Sequence, residues 1–216
     1  MKNILGLVRT KVMKVILAVV CIFLIIISCK KEQSSATSPV TPPPPPPEIV
    51  TAVTDSIFTN QIPAGKTGND SMGGIELGLK FRSTAVGNIV GVKFYKTPGN
   101  SGRHTGELYS SDGTLLASQV FTNETDSGWQ TVIFITPVPI VANTTYIAAY
   151  HSSLGNYVAT ALGLKTGISN APLTALADST DGINGLYKYT TIPALPDSGY
   201  MSSNYWVDVL EKINNK

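Results

Sequence analysis

After residue 48, short apolar segments alternate with clusters of Gly, Asn, Asp, Pro and Ser for the rest of the chain. Such clusters form turns, and two clear examples are 97–102 (Thr-Pro-Gly-Asn-Ser-Gly) and 111–113 (Ser-Asp-Gly). No window of about a dozen residues has a helical period, and 170–177 is the best short helix candidate. We therefore predict an all-β fold, a single antiparallel β-sandwich of the jelly-roll or immunoglobulin-like type.

Segments bounded by these turns are predicted to be strands. In one segment Val90, Val92 and Phe94 share a face, so we predict that these three side chains lie in the core. Trp129 is predicted to be structural, because the apolar Ile133 and Ile135 follow on its face. The predicted strands are 50–58, 75–82, 88–96, 106–110, 115–121, 129–135, 145–151, 157–161, 186–189 and 205–210.

The N-terminus has the composition of an export signal. Residues 1–28 carry four basic side chains and an unbroken apolar run at 15–27, and Ser28 precedes Cys29. This pattern resembles a bacterial lipoprotein signal peptide. A helical run of this length reaches only about 20 Å, short of the roughly 30 Å hydrocarbon core, and a short transmembrane anchor is the alternative. We predict that Cys29 carries a diacylglycerol and an N-acyl chain that anchor the protein in the lipid bilayer of the bacterial cell envelope.

Residues 29–48 are rich in Ser, Thr and Pro and include six consecutive prolines at 42–47. Polyproline II extends about 3.1 Å per residue, so the prolines alone span close to 20 Å. We predict a stalk between the lipid and a domain at 49–216, the alternative being a ligand for a proline-recognising module. The charged residues 30–32 resemble sorting signals of surface lipoproteins, and Lys30 after the cysteine resembles the outer-membrane class. The predicted location is the outer membrane, with the side that the domain faces left open.

Cleavage before Cys29 changes the charge of the mature chain. The whole chain has 16 basic and 14 acidic residues, and removing the four basic residues of the signal leaves 12 against 14. A net charge near −2 with no basic cluster excludes a typical nucleic-acid-binding surface. Cys21 leaves with the signal and Cys29 is used for lipid, so no thiol remains for a disulfide, a zinc site or a nucleophile.

A series of ordered motifs between about 51 and 210 is similar to one known family. The motifs are 91–96 (GVKFYK), 100–106 (NSGRHTG), 127–132 (SGWQTV), 137–138 (PV), 150–151 (YH), 184–187 (NGLY) and 204–209 (NYWVDV). They resemble an uncharacterised bacterial family known as domain of unknown function 4082. The resemblance implies an extracellular β-sandwich module, of the kind found beside immunoglobulin-like or carbohydrate-active domains, and implies no activity. The chain departs from the family where Val209 is followed by Leu210 and Glu211 instead of an aromatic residue.

The leading functional hypothesis is a non-catalytic module that binds glycan. Tyr and Trp rings stack on the apolar C–H faces of sugars, while Asn, Asp and His side chains pair with hydroxyls. Trp206 stands between two hydrogen-bonding side chains in the last predicted strand, on the face opposite Val207 and Val209. The candidate ligand-binding residues are Trp206, Asn204, Asp208, His104, Asn100, Tyr150, His151 and Tyr157.

Two other classes of protein stay open. A structural or adhesive surface protein would contact another envelope protein through an apolar patch. A hydrolase is the third hypothesis, and we expect no enzyme, because neither His104 nor His151 has a flanking catalytic signature and 69–73 lacks the first glycine of a nucleophile elbow. Glycoside hydrolysis would need two suitably spaced carboxylates from the set Glu107, Glu124, Asp126 and Asp208.

One loop could hold a metal ion. Asp178, Asp181 and Asn184 fall three residues apart and offer the oxygen ligands that Ca²⁺ accepts. Their spacing is not that of an EF-hand, and a hydrogen-bonded Asx-rich turn is the other interpretation of the same residues. No further cofactor is predicted.

Overall fold

Two antiparallel sheets, one of eight strands and one of three, share the main hydrophobic core. They are seen in a computed structural model that describes residues 54–64, 66–69 and 73–213. The prediction of an all-β sandwich is confirmed. Within these described ranges the structure has no helix, and hence none able to span a membrane. The predicted signal peptide, the lipid at Cys29 and the stalk lie outside the described residues.

The strands follow one another with short connections. In chain order they are β1 (Lys66–Asn69), β2 (Ile75–Ser83), β3 (Gly87–Lys96), β4 (His104–Ser110), β5 (Leu115–Val120), β6 (Gly128–Ile140), β7 (Tyr146–Ser152), β8 (Asn156–Ala159), β9 (Ile168–Asn170), β10 (Leu173–Ala175), β11 (Leu186–Tyr189), β12 (Ser198–Gly199) and β13 (Val207–Ile213). The large sheet has the order β12-β11-β2-β7-β4-β5, with β10 beside the end of β2 and β9 beside β10. The small sheet has the order β13-β3-β6, and β1 pairs with β8 in a separate ribbon.

The core lies between the two sheets. Side chains that alternate along β3 and β13, such as Phe94 and Val209, meet side chains from β2 and β7. The ring of Phe94 stacks on that of Tyr150, with centroids 4.3 Å apart and an interplanar angle of 16°. Phe94 is therefore in the core, as the alternation along its strand predicts.

A segment of little regular structure, 54–64, covers part of the outer face of the small sheet. Asp55 forms an antiparallel bridge with Glu211, so the segment runs along the free edge of β13. The backbone N–H groups of Ile57 and Phe58 donate to the carboxylate of Asp208 at 2.9 and 2.8 Å. The Nζ of Lys93 lies 3.2 Å from the same carboxylate and 4.4 Å from the centroid of the Trp129 ring. The segment thereby covers the ion pair of Lys93 and Asp208, which is buried on this face of the small sheet.

Two secondary-structure predictions are wrong. In place of the strand predicted at 50–58, the described part has a single bridge at Asp55, because its backbone donors bond a carboxylate instead of a strand ladder. The helix candidate at 170–177 is the hairpin of β9 and β10, whose turn contains a cis peptide between Ala171 and Pro172. The short strands β1, β9, β10 and β12 were not predicted.

Two predictions about faces are also corrected. Val90 is only half-buried, because the register of β3 shifts between Ile89 and Gly91 and puts Ile89 in the core instead. Along β6 the face of Trp129 is the outer one, and Ile133 and Ile135 are 57% and 91% exposed. Trp129 nevertheless packs against Phe58 and is structural, since the segment 54–64 covers it.

Candidate functional site

Trp206 and its neighbours, the leading sequence-predicted ligand site, are buried. The Trp206 ring is only 8% exposed, and its Nε1 donates to the Thr160 hydroxyl at 2.9 Å. Asn204 caps the backbone N–H of Trp206, and Asp208 holds Lys93 and the covering segment. The prediction that Trp206 offers an exposed face is therefore wrong. The Trp206 ring lies with Trp129 on the outer face of the small sheet, and it is buried because Phe58 of the segment 54–64 packs on it.

His104 and Asn100 order their own turn. The Nδ1 of His104 lies 2.9 Å from a carboxylate oxygen of Glu124, and its Nε2 lies 2.9 Å from Oδ1 of Asn100. Burial lowers the pKa of His104, and the contact with Glu124 opposes that shift. Both His104 and Asn100 are buried, so neither side chain presents a surface for a ligand to contact. Their role is to hold the glycine-rich connection between β3 and β4.

Of the remaining candidates, Tyr157 and His151 line separate cavities. Tyr150 is fully buried against Phe94, since it faces inward on β7. His151 faces the opposite side of the large sheet, and its Nε2 donates to the Thr190 carbonyl at 3.0 Å. Burial lowers the pKa of His151. Tyr150, His151 and Tyr157 therefore do not form one site, because neighbouring residues on β7 face opposite sides of the sheet.

Five tyrosines from separate parts of the chain meet at one end of the sandwich. We call this site the tyrosine cleft, and its rings are those of Tyr157, Tyr187, Tyr189, Tyr200 and Tyr205. The rings of Tyr187 and Tyr189 meet edge to face at 5.5 Å, and those of Tyr157 and Tyr205 do so at 5.8 Å. Tyr200 is 62% exposed and Tyr189 is 45% exposed. The cleft thus combines a packed aromatic base with rings that face solvent.

The cleft consists of two adjoining cavities of about 480 and 320 Å³. Both are lined by Tyr157, Tyr200 and Tyr205. The smaller cavity is completed by Ile75 and the two tyrosines of β11. The larger one is completed by small residues and hydroxyls: Ala64, Thr67, Gly68, Ala159, Thr160, Ala161 and Ser203.

A tight turn after β12 positions Tyr200. Its central residues Met201 and Ser202 have positive φ values of 52° and 47°, and the N–H of Ser203 donates back to the Tyr200 carbonyl at 3.1 Å. The backbone N–H groups of Leu162 and Leu164 donate to the carbonyls of Met201 and Ser202. These bonds hold the turn against the loop that follows β8, so Tyr200 is exposed on an ordered support.

The loop in which calcium binding is predicted, 178–184, also holds the turn after β12 in place. Asp178 accepts from the Ser202 hydroxyl at 2.6 Å and from the N–H of Asn184 at 2.8 Å. Asn184 is buried, and its amide bonds the backbone of Lys80. Asp181 pairs with Arg82 at 3.2 Å. Among the described residues no three His, Cys, Asp or Glu side chains form a group that could hold a metal, and calcium at this loop stays a prediction.

A pair of buried carboxyls lies elsewhere, on the outer face of the large sheet. Glu76 on β2 and Glu107 on β4 lie diagonally across β7, and both are fully buried. Burial raises the pKa of Glu107 to about 7, and burial also raises the pKa of Glu76 well above its ordinary value, with the charge of Glu107 adding to the effect on Glu76. The N–H of Ala194 donates to Glu76 at 3.2 Å, so the segment 190–197 covers the pair.

A polar cavity of about 420 Å³ lies beside this covering segment and is lined in part by Thr105, Ser118 and His151. The two carboxyls do not line it. Burial of both carboxyls with raised pKa values favours retention of at least one proton by the pair at neutral pH. Sequence reasoning considered Glu107 without its partner Glu76, because the pairing depends on strand order.

The fold and the cleft define a class of protein: an all-β sandwich module with an aromatic cleft at one end. A family model described as a domain of unknown function, DUF4082, matches residues 60–207. The chain belongs to this family, in agreement with the resemblance of its motifs. No curated protein matches the chain.

Sequence reasoning missed four of the five cleft tyrosines. The signal available was compositional, because five of the chain's nine tyrosines fall at or after residue 157. The spacing of Tyr187 and Tyr189 also predicts that both rings lie on one face of a strand. Their meeting with Tyr157 and Tyr205 depends on tertiary structure, which one sequence does not define.

Proposed function

We propose that this protein is a bacterial cell-envelope lipoprotein whose β-sandwich is a non-catalytic module that binds glycan in the tyrosine cleft. The observation that carries the proposal is the exposure of Tyr200 and Tyr189 beside a packed aromatic base. Tyrosine offers an apolar ring with a polar tip, which matches the apolar faces and polar rims of sugar rings.

The geometry of the cleft supports ligand binding without large rearrangement. The turn that carries Tyr200 is held by backbone hydrogen bonds to the loop after β8 and by Asp178. An ordered side chain loses little conformational freedom when a ligand stacks on it. The lipoprotein part of the proposal is supported by the signal-like residues 1–29 alone.

A glycan array tests the proposal. The full-length protein, extracted in detergent micelles, is compared with Tyr200→Ala and with Ile135→Ala, in which an exposed side chain of β6 is truncated. We expect binding to a defined sugar class by the parent and by Ile135→Ala, and a loss of about tenfold or more in Tyr200→Ala. Equal binding by all three proteins would reject the tyrosine cleft as the site.

A second candidate function is adhesion to another envelope protein. The outer face of β6 presents Ile133 and Ile135 to solvent, and the neighbouring strand β5 presents Leu115 and Leu116. A groove of about 470 Å³ lies nearby, lined in part by Leu116, Pro137 and Pro139. Exposed apolar patches of this kind often mark protein contacts. Crosslinking to one defined envelope protein that Ile135→Asp abolishes and Tyr200→Ala leaves unchanged would favour adhesion over glycan binding.

A further inference from the structure

We propose that the tyrosine cleft takes a neutral, linear glycan and engages at least two consecutive sugar units, an inference that rests on the proposed glycan-binding function. Two properties of the cleft carry it: the chemistry of its described lining residues and the division of its space into two adjoining cavities. Glycans that carry carboxylate or sulfate groups, and single sugars, are the ligands that it disfavours.

The lining residues explain the preference for neutral sugars. Every described residue that lines the two cavities is uncharged: tyrosines, Ile75, alanines, Gly68, two threonines and Ser203. Lys188 lies on β11 between two of the cleft tyrosines, but its Nζ is paired with the Asp197 carboxylate at 2.6 Å. An anionic sugar would lose hydration in this cleft without gaining a cationic partner among these residues.

The two cavities explain the preference for a chain of sugars. Each has a volume within the range of about 300–1,000 Å³ that is typical of small-molecule pockets. Because Tyr157, Tyr200 and Tyr205 line both cavities, a ligand that fills one cavity continues along shared rings into the other. A linear oligosaccharide can occupy both at once, whereas a monosaccharide can occupy only one.

The two cavities differ in chemistry, so the two sugar units are recognised differently. The smaller cavity is built from tyrosines and Ile75 and offers stacking faces. The larger cavity adds Thr67 and Thr160, whose side chains carry hydroxyls and are not buried. The Thr160 oxygen accepts from Trp206 Nε1 at 2.9 Å, which leaves its own hydrogen to donate to a sugar hydroxyl. We assign stacking to the smaller cavity and hydrogen-bond recognition to the larger one.

Calorimetric titration of the detergent-extracted full-length protein tests this inference. The probes are neutral gluco-, manno- and xylo-oligosaccharides of one to six units and oligogalacturonates of the same lengths. We expect one neutral series to gain about tenfold or more in affinity between one and three units and then to level off. The oligogalacturonates are expected to bind about tenfold or more weakly than that series.

Two variants locate the effect. Tyr189→Ala, which removes a ring of the smaller cavity only, is expected to abolish most of the gain with chain length while leaving the affinity for one sugar unit nearly unchanged. Thr67→Val, in the larger cavity only, is expected to weaken binding of the short and the long members of the series alike. Ile135→Ala serves as the control and is expected to leave both affinities unchanged.

The outcomes separate this inference from the function on which it rests. Equal affinity for one and three units, or equal affinity for oligogalacturonates and neutral sugars, would overturn the inference while leaving glycan binding intact. Absence of binding to every oligosaccharide and on the glycan array would overturn both.

Discussion

Gly68 allows the ring of Tyr157 to lie where the cleft needs it. A Cβ atom at position 68 would stand 2.6 Å from Cε2 of Tyr157, closer than real side chains approach. The strand β1, which carries Gly68, pairs with β8, which carries Tyr157, so the backbone cannot easily withdraw. Gly68 is therefore a positioning residue for a ring that both cavities share.

We expect Gly68→Ala to displace the Tyr157 ring and to lower affinity for the proposed glycan by about tenfold, with little change in the overall fold. Titration calorimetry measures the affinity, and near-ultraviolet circular dichroism reports the change in tyrosine environment. The control is Gly199→Ala, whose Cβ would meet Ile183 at an ordinary 3.4 Å. An unchanged tyrosine signal and unchanged affinity in Gly68→Ala would contradict this role.

Asp208 is the residue on which the cover of the small sheet depends. It accepts hydrogen bonds from two backbone N–H groups of the covering segment and pairs with Lys93, and all of these residues are buried. Burial raises the pKa of Asp208, and the contacts with Lys93 and the two N–H groups oppose that shift. Removing one partner of a buried ion pair leaves the other charge buried without a partner, which is strongly destabilising.

We expect Asp208→Ala to lower the free energy of unfolding by about 3–5 kcal/mol, measured by urea denaturation. Asp197→Ala is the matched control, since it breaks the exposed pair with Lys188 and is expected to cost less than about 1 kcal/mol. Equal losses in the two variants would show that the covering segment does not depend on Asp208.

At the scale of elements, the segment 190–197 covers the buried carboxyls of Glu76 and Glu107, whose protonation affects the free energy of unfolding. It connects β11 to β12, and its N–H at Ala194 reaches Glu76. Because burial raises the pKa of Glu107 from 4.5 to about 7, the folded state holds more protons than the unfolded state between these values. The stabilisation by the protonated pair is therefore complete below the unfolded pKa and is lost as pH rises through the folded pKa.

We expect the free energy of unfolding to fall by up to about 3 kcal/mol between pH 4.5 and pH 7 from this group, at a slope near 1.4 kcal/mol per pH unit. Glu107→Gln is expected to reduce the slope, because a neutral amide replaces one of the two buried carboxyls whose pKa is raised. Urea denaturation at a series of pH values provides the measurement. Asp126→Asn, at an exposed carboxylate, is the control and should retain the parent slope.

Sequence patterns predicted the strands that carry long alternation and missed those whose existence depends on tertiary contacts. β3 follows from its apolar alternation and β7 from a short apolar run, each bounded by turns, whereas β12 has only two residues and forms because β11 is beside it. The segment 54–58 has a strand-like composition, but the Asp208 carboxylate takes two of its backbone donors. The tyrosine cleft could not be predicted for the same reason, since its rings come from β8, β11 and the connection between β12 and β13.

At the scale of the whole molecule, attachment to the membrane is predicted from residues 1–29, which lie outside the described residues. We expect Cys29→Ala to move the protein out of the membrane fraction, because no acyl chain can then be attached. Fractionation with metabolic palmitate labelling provides the measurement. Cys21→Ala is the control and should remain lipid-labelled; membrane retention of Cys29→Ala would instead favour a transmembrane anchor.

The bridge between Asp55 and Glu211 has a consequence for how this domain can be connected to other chains. It joins a residue near the start of the described domain to one near its end, and both lie on the same edge of the small sheet. Neighbouring ends can be joined by a short linker, and new ends can be opened at an exposed hairpin such as 111–113 without breaking the order of the strands. The backbone enters and leaves at one edge, so the whole sandwich is suited to circular permutation and to transplantation into a surface loop of a host protein.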